Sequence, residues 1–361
     1  MIENLDDEFD GSGDDKASQS SSHGSDDSTQ QPDKWQDLSP EMSSALASWA
    51  SRFRLVEVQA SGGASSHTNL VARLCEAEDY SENASYLTLS HCWGGHASLQ
   101  LTKSNLEALR EDIPIHELPA LFKDALYMTA QLGVKYIWID CLCILQDCRD
   151  DWEFEAARMG DVYQYARCGI AASGYRDGKT SLFKKRIPIP LLNFPLCMDR
   201  TLVANNVTAK YPERMPINGL FVRSDTHEFD DAVTKGPLNS RGWVAQERAL
   251  SPGILHFTPK QMWWECKNHI FSESFSYGDF FRDFERSSNP LHMDTAFGQQ
   301  EDYITWKWGK FVAFYAGTNL TVWSDRFPAL RGIACQFATI TGDNIIAGFW
   351  ERDIIRSLAW R

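Results

Sequence analysis

Between residues 86 and 172, three short apolar runs alternate with segments of helical period, and this rhythm constrains the fold more than any other feature of the chain. Residues 86–90 (YLTLS) are rich in aromatic, aliphatic and β-branched side chains and end at HCWGGH, where two glycines force a turn. Leu101, Leu106, Leu109 and Ile113 predict a short helix. Behind Pro119, a residue tolerated in a first turn, Leu118, Leu121, Phe122, Ala125, Leu126, Thr129 and Leu132 recur at helical spacing until Gly133 ends the run. Residues 135–139 (KYIWI) form a dense apolar strand of the kind buried on both faces, stopping at Asp140. Asp150 or Asp151 can cap a helix to about Ala166, with Trp152, Glu155, Met159 and Tyr163 on one stripe, and residues 169–172 make a third strand. This order predicts an α/β fold with a parallel central sheet flanked by helices, as in flavodoxin-like arrangements. Such sheets bind ligands outside the carboxyl ends of their strands. Ser90 and His91, Asp140 and Cys141, and Ser173 fall there, with Glu155 near the same rim.

On either side of this segment the reading is coarser. Residues 43–85 are a lead-in that holds a helix, a short strand at Leu55, Val56 and Val58, and a Gly/Ser loop at 61–69. Residues 181–240 read as a β-rich insertion of short strands and Pro-containing loops. RGWVAQERAL (241–250) reads as a helix stopped by Ser251, Pro252 and Gly253, which closes a domain at 86–250. The extension at 251–361 is expected to be mixed β, with ILHFT and QMWWEC as a strand pair, and then helical at 301–316 and 328–340.

Charge and composition exclude several classes of function. Of the net charge of −14 over 361 residues, residues 1–40 carry eleven acids against Lys16 and Lys34. So acidic a segment, rich in Ser and Gly, buries too little apolar area to offset its ordering entropy, and 1–42 is expected to be a disordered tail. The body lacks a basic stripe, so nucleic acid is not an expected partner. No apolar run approaches the length of a membrane span. The N-terminus MIENLDDEFD has neither a basic nor an apolar signal region. Nine cysteines without framework spacing point to reduced thiols, and the expected location is cytoplasmic.

Glu155 is the first candidate for chemistry. The helical period aims its carboxylate at an apolar face, where ionisation is costly and a raised pKa suits a general acid or base. A buried ion pair or rim hydrogen bond accounts for the same pattern. Asp140, at a strand end, suits a ribose hydroxyl, a loop cap or the orientation of a histidine. Ser90, His91, Trp93 and Gly94 form a strand-end turn whose glycines let backbone amides approach a phosphate; a tight turn under a packed tryptophan is the structural alternative. Arg241 or Arg248 can clamp a diphosphate or pair with Asp140 or Glu155. Cys141 and Cys143 alternate if the strand continues, and buried inert thiols explain them better than a Cys–His nucleophile does. His91, Cys92, His96, Cys141 and Cys143 lack metal-ligand spacing, so no metal is expected. No P-loop is present, so ATP-driven assembly is not expected.

At YLTLSHCWGG, LPALFKDALYMTAQLGVKYIWIDCLCILQD and DWEFEAARMGDVYQYA, followed by RGWVAQERALSPGILHF, the sequence resembles the fungal HET (heterokaryon incompatibility) domain family over about residues 86–250. The resemblance implies a role in non-self recognition that ends in programmed cell death, with an incompatibility partner or sensor and self-association of the chain. It also implies a distant likeness to TIR domains, some of which cleave NAD with a helix glutamate; Trp152 to Glu155 has their W-x-x-E look. On that reading NAD is a substrate rather than a cofactor, Glu155 and Asp140 are catalytic, and Ser90, His91, Trp93, Gly94 and Arg241 bind the nucleotide. The alternative is a non-enzymatic signalling module acting by self-association or adaptor binding.

Overall fold

The computed structural model describes residues 53–60, 70–81, 84–95, 99–184, 228–267, 269–273, 301–346 and 348–355. All of them lie in one unit running from Ser48 to Arg361. The acidic tail, the helix expected at the start of the lead-in, the loop at 61–69, His96 and residues 185–227 of the insertion lie outside the described residues.

In chain order, β1 (Leu55–Ala60) and β2 (Leu70–Cys75) form an antiparallel pair before β3 (Tyr86–Ser90). Helices α1 (Leu106–Glu111) and α2 (Ala120–Gln131) lead to β4 (Tyr136–Ile139). A single helical turn α3 (Asp140–Cys143), then α4 (Arg149–Ala156) and α5 (Met159–Gln164), precede β5 (Cys168–Ala171). After the insertion come α6 (Gly242–Leu250), β6 (Gly253–Phe257), β7 (Met262–Cys266) and β8 (Ile270–Ser272). The described chain ends with α7 (Glu301–Ala316), α8 (Pro328–Thr341) and the small pair β9 (Ile345–Ile346) and β10 (Phe349–Trp350).

Eight strands form one sheet in the order β2-β1-β4-β3-β5-β6-β7-β8. Its centre, β4-β3-β5-β6, is parallel, and antiparallel strands complete both edges. The expected parallel centre is therefore present, with β1 and β2 from the lead-in and β6 to β8 from the C-terminal extension joined to it. All four residues of β4 are buried, as its unbroken apolar run requires. Helix α2 packs on β1 and β4, while Tyr163 of α5 meets Trp138 of β4 edge-on at 5.8 Å. Gly133 ends the α2 segment at φ +67°, the left-handed conformation that favours glycine.

Three expectations need correction. The helix expected from 150 to 166 breaks at Ala157–Arg158, where the Arg158 amide bonds back three residues to the Glu155 carbonyl. Trp152 and Glu155 therefore lie on α4, and Met159 and Tyr163 on α5, rather than on one continuous helix. The strand before Asp140 does not continue; it turns into α3, which buries both Cys141 and Cys143 instead of alternating them. The described end of the insertion, 228–240, forms helical turns rather than strands, among them Asp230–Thr234 and Leu238–Ser240.

Candidate functional site

The carboxyl ends of β3 and β4 lie side by side because the strands pair in parallel, Leu89 opposite Ile139. Each strand therefore delivers its next polar residue to one corner. Asp140 begins α3, and its Oδ1 accepts the Cys141 amide at 2.7 Å while its Oδ2 accepts the Trp93 indole Nε1 at 2.8 Å. His91 Nδ1 lies 3.7 Å from Asp140 Oδ1, and the ring meets Phe122 of α2 edge-on at 4.9 Å. Desolvation lowers the His91 pKa, against the opposing pull of Asp140, and keeps the buried imidazole neutral.

Gly94 and Gly95 both take positive φ in the turn that carries Trp93. A Cβ on Gly94 would lie 2.6 Å from the Cβ of Asp177, so this glycine serves close packing as well as the turn. Arg241, at the start of α6, donates from Nη1 to the His91 carbonyl oxygen and so ties α6 to the end of β3. Five of the residues singled out in the sequence thus meet here: Asp140, His91, Trp93, Gly94 and Arg241. Ser90 joins them through a part of the site the sequence did not show. Its side chain acts electrostatically on Glu247 of α6, as does that of Tyr163 of α5.

Glu247 is buried, and desolvation raises its carboxyl pKa against the opposing effects of Arg241, Ser90 and Tyr163. In sequence it is one charged residue in QER. Only the packing of α6 on α5 brings it beneath Ser90.

Glu155 sits in a different group. Its near charges are Arg158, Asp151 and Arg54, and neither of its buried oxygens has a hydrogen-bond partner. Burial pushes its carboxyl up to about 7. Arg54, just before β1, makes a two-pronged pair with Asp151 at 3.1 and 2.9 Å and donates to the Cys143 carbonyl at 3.2 Å. Asp140 therefore stands at the start of α3, whereas the Glu155 group is anchored at its end.

The second arginine of the RGWVAQER segment, Arg248, does not pair with Asp140 or Glu155. Arg248 grips Glu265 of β7 at 2.7 and 2.9 Å, Glu265 holds His256 Nε2 at 2.9 Å, and His256 Nδ1 meets Ser173 Oγ at 2.8 Å. All four are buried. Ser173, just past the carboxyl end of β5 as expected, is thereby drawn into a buried network with His256 of β6 and Glu265 of β7.

His91, Asp140 and Cys141 also place three metal-type donor atoms within 4.8 Å of one another. A metal there needs Cys141 as thiolate, and burial pushes that thiol well above its ordinary value. Each Asp140 oxygen accepts one hydrogen bond, from Trp93 or from Cys141.

Residues 86–247 match the model of the family described as Heterokaryon incompatibility protein (HET). The chain carries a HET domain. The match spans β3 to most of α6 and so includes Ser90, His91, Trp93, Asp140, Glu155, Tyr163, Arg241 and Glu247. No curated protein and no solved structure gives a significant match. Within the HET domain lie the parallel strands β3, β4 and β5 and the whole Asp140 corner. No helix among the described residues is long and apolar enough to cross a membrane.

Proposed function

We propose that this HET-domain protein triggers programmed cell death in fungal non-self recognition by cleaving NAD at the corner where β3 and β4 end. The observation that carries the reading is the convergence on Asp140. A strand-end carboxylate, 18% exposed at its side chain, is fixed by the Trp93 indole and the Cys141 amide. Each carboxylate oxygen retains a lone pair for a ribose hydroxyl. Trp93, 37% exposed, offers a face for a base, while Arg241 offers charge for a diphosphate and Ser90 a polar group for the ribose. Glu155, held near neutrality by burial, is the carboxylate that the W-x-x-E likeness to TIR domains nominates as acid or base. NAD is the substrate, self-association completes the pocket, and a cytoplasmic partner or sensor releases the activity.

The test is NAD content in a host culture after induced expression, with wild type beside Asp140→Asn at matched soluble protein. Loss of NAD before viability falls, in wild type only, is expected. Death with NAD unchanged overturns the reading.

A second reading has its own observation. Trp323 and Phe327 are 73% and 59% exposed. They lie near a groove of about 590 Å³ whose lining includes Trp152, Phe327, Leu330, Ala334 and Ile345. On this reading the domain signals by binding itself or an adaptor, and Asp140→Asn kills as well as wild type.

A further inference from the structure

His91 carries a buried nitrogen that the fold leaves unsatisfied. The residue is 3% exposed, and its Nδ1 has no hydrogen-bond partner. Such atoms are rare in folded proteins, because each gives up its hydration and gains nothing in exchange. Nδ1 faces the corner where β4 ends, with Asp140 Oδ1 at 3.7 Å, too far for a hydrogen bond. The Cys141 thiol, itself 1% exposed, is the third group there, and one donor atom from each of the three residues lies within 4.8 Å of the other two. Parallel pairing of Leu89 with Ile139 fixes this approach, since His91 follows β3 while Asp140 and Cys141 follow β4. His91 and Cys141 have no part in the NAD-cleavage reading, and Asp140 is common to both.

We propose that His91 Nδ1, Asp140 Oδ1 and Cys141 Sγ bind a zinc ion at this corner. Imidazole, carboxylate and thiolate together are a donor set that zinc favours. Zinc bonds of about 2.0–2.3 Å in a tetrahedral site set the ligand atoms about 3.3–3.8 Å apart. The distance from His91 to Asp140 already falls in that range, and the other gaps close with a contraction of about 1 Å at most. The carboxylate is held in advance: Oδ1 accepts the Cys141 amide at 2.7 Å and Oδ2 the Trp93 indole at 2.8 Å, and each oxygen keeps a lone pair. The Asp140 side chain is 18% exposed, which gives the ion an entry path and a water as fourth ligand. Zinc replaces the thiol proton, which leaves to solvent, and the charges of the thiolate and of Asp140 balance the ion against the nearby Arg241 guanidinium. Magnesium bonds sulfur weakly and does not displace that proton, so the site selects zinc.

The experiment titrates the reduced full chain with zinc, magnesium and cobalt(II), for wild type, Cys141→Ala, Asp140→Asn and Cys143→Ala, each with a thermal melt. Zinc is expected to raise the wild-type melting temperature and magnesium to leave it unchanged. Cobalt is expected to give thiolate-to-metal charge-transfer absorption in wild type and Cys143→Ala and none in Cys141→Ala. Loss of the thiolate should weaken zinc by about 100-fold or more, beyond the roughly 10–100-fold that follows loss of a contact outside the ligands. Asp140→Asn changes a partly exposed residue and keeps the test decisive if Cys141→Ala fails to fold; it should weaken zinc by about tenfold or more. Zinc binding that is absent from wild type, undiminished in Asp140→Asn or in folded Cys141→Ala, or matched by magnesium overturns the site. None of these readouts involves NAD, so failure of the NAD-cleavage reading leaves them standing.

Discussion

The indole Nε1 of Trp93 donates to Oδ2 of Asp140 at 2.8 Å, joining the glycine turn after β3 to the first residue after β4. The two residues are 47 positions apart, and parallel pairing of the strands brings them together. Trp93→Phe keeps most of the ring but loses the donor. It is expected to cost about 1 kcal/mol in chemical denaturation and, on the proposed function, to weaken NAD turnover through a freer Asp140. Unchanged stability and turnover would show that the hydrogen bond holds nothing in place.

Glu155 makes stability depend on pH. Its folded-state pKa of about 7 lies above the usual carboxyl value because burial disfavours the charge. Below the unfolded-state value the acid is neutral in both states, and the full contribution to stability is present. That contribution is lost as pH rises through about 7, by roughly 3 kcal/mol in all. Relative to wild type, Glu155→Gln should therefore gain stability between about pH 4 and pH 8. Denaturation curves whose separation does not change over this interval would refute the assignment.

Helices α5, α6 and α8 cross with almost no space between them. The Gly332 amide donates to Gln246 Oε1 at 2.7 Å, and a Cβ on Gly332 would lie 2.6 Å from that oxygen and 2.8 Å from the Gly160 Cα. Gly332→Ala is expected to destabilise by about 1–3 kcal/mol, since backbone on the far side cannot retreat. A melting temperature equal to wild type would mean that the helices slide apart freely.

The buried pair Arg248–Glu265 should behave asymmetrically. Arg248→Met leaves Glu265 and His256 in the interior without their guanidinium, and a loss of about 3–5 kcal/mol is expected. Replacing Arg248 and Glu265 together by apolar residues should recover a large part of it. A double variant as unstable as the single one would assign the loss to packing.

Much of the fold was legible because its signals are local. The apolar run of β4, the helical period of α2, the YLTLS strand and the stop at Ser251-Pro252-Gly253 each follow from neighbouring residues, and each lies where expected. Strand β2 was missed: LVARLC is short and interrupted by Arg73, whose charge is met by Glu57 of β1 at 2.6 Å. The break after α4 was missed as well, because helical periodicity assumes one continuous helix. Glu155 and Tyr163 consequently lie on two helices instead of one.

The sequence by itself determined that strands and helices alternate, that a parallel sheet follows, and that Ser90, His91 and Asp140 stand at its strand ends. Period and composition act through near neighbours, and such information is written along the chain. Only the tertiary structure decided which charges share a corner. Arg241 reaches back to His91, Glu247 lies under Ser90, Arg248 serves Glu265, and Glu155 falls among Arg54, Asp151 and Arg158. The physical reason is that burial and pairing depend on how α6 packs against α5 and how the sheet is ordered, and strands distant in sequence set both.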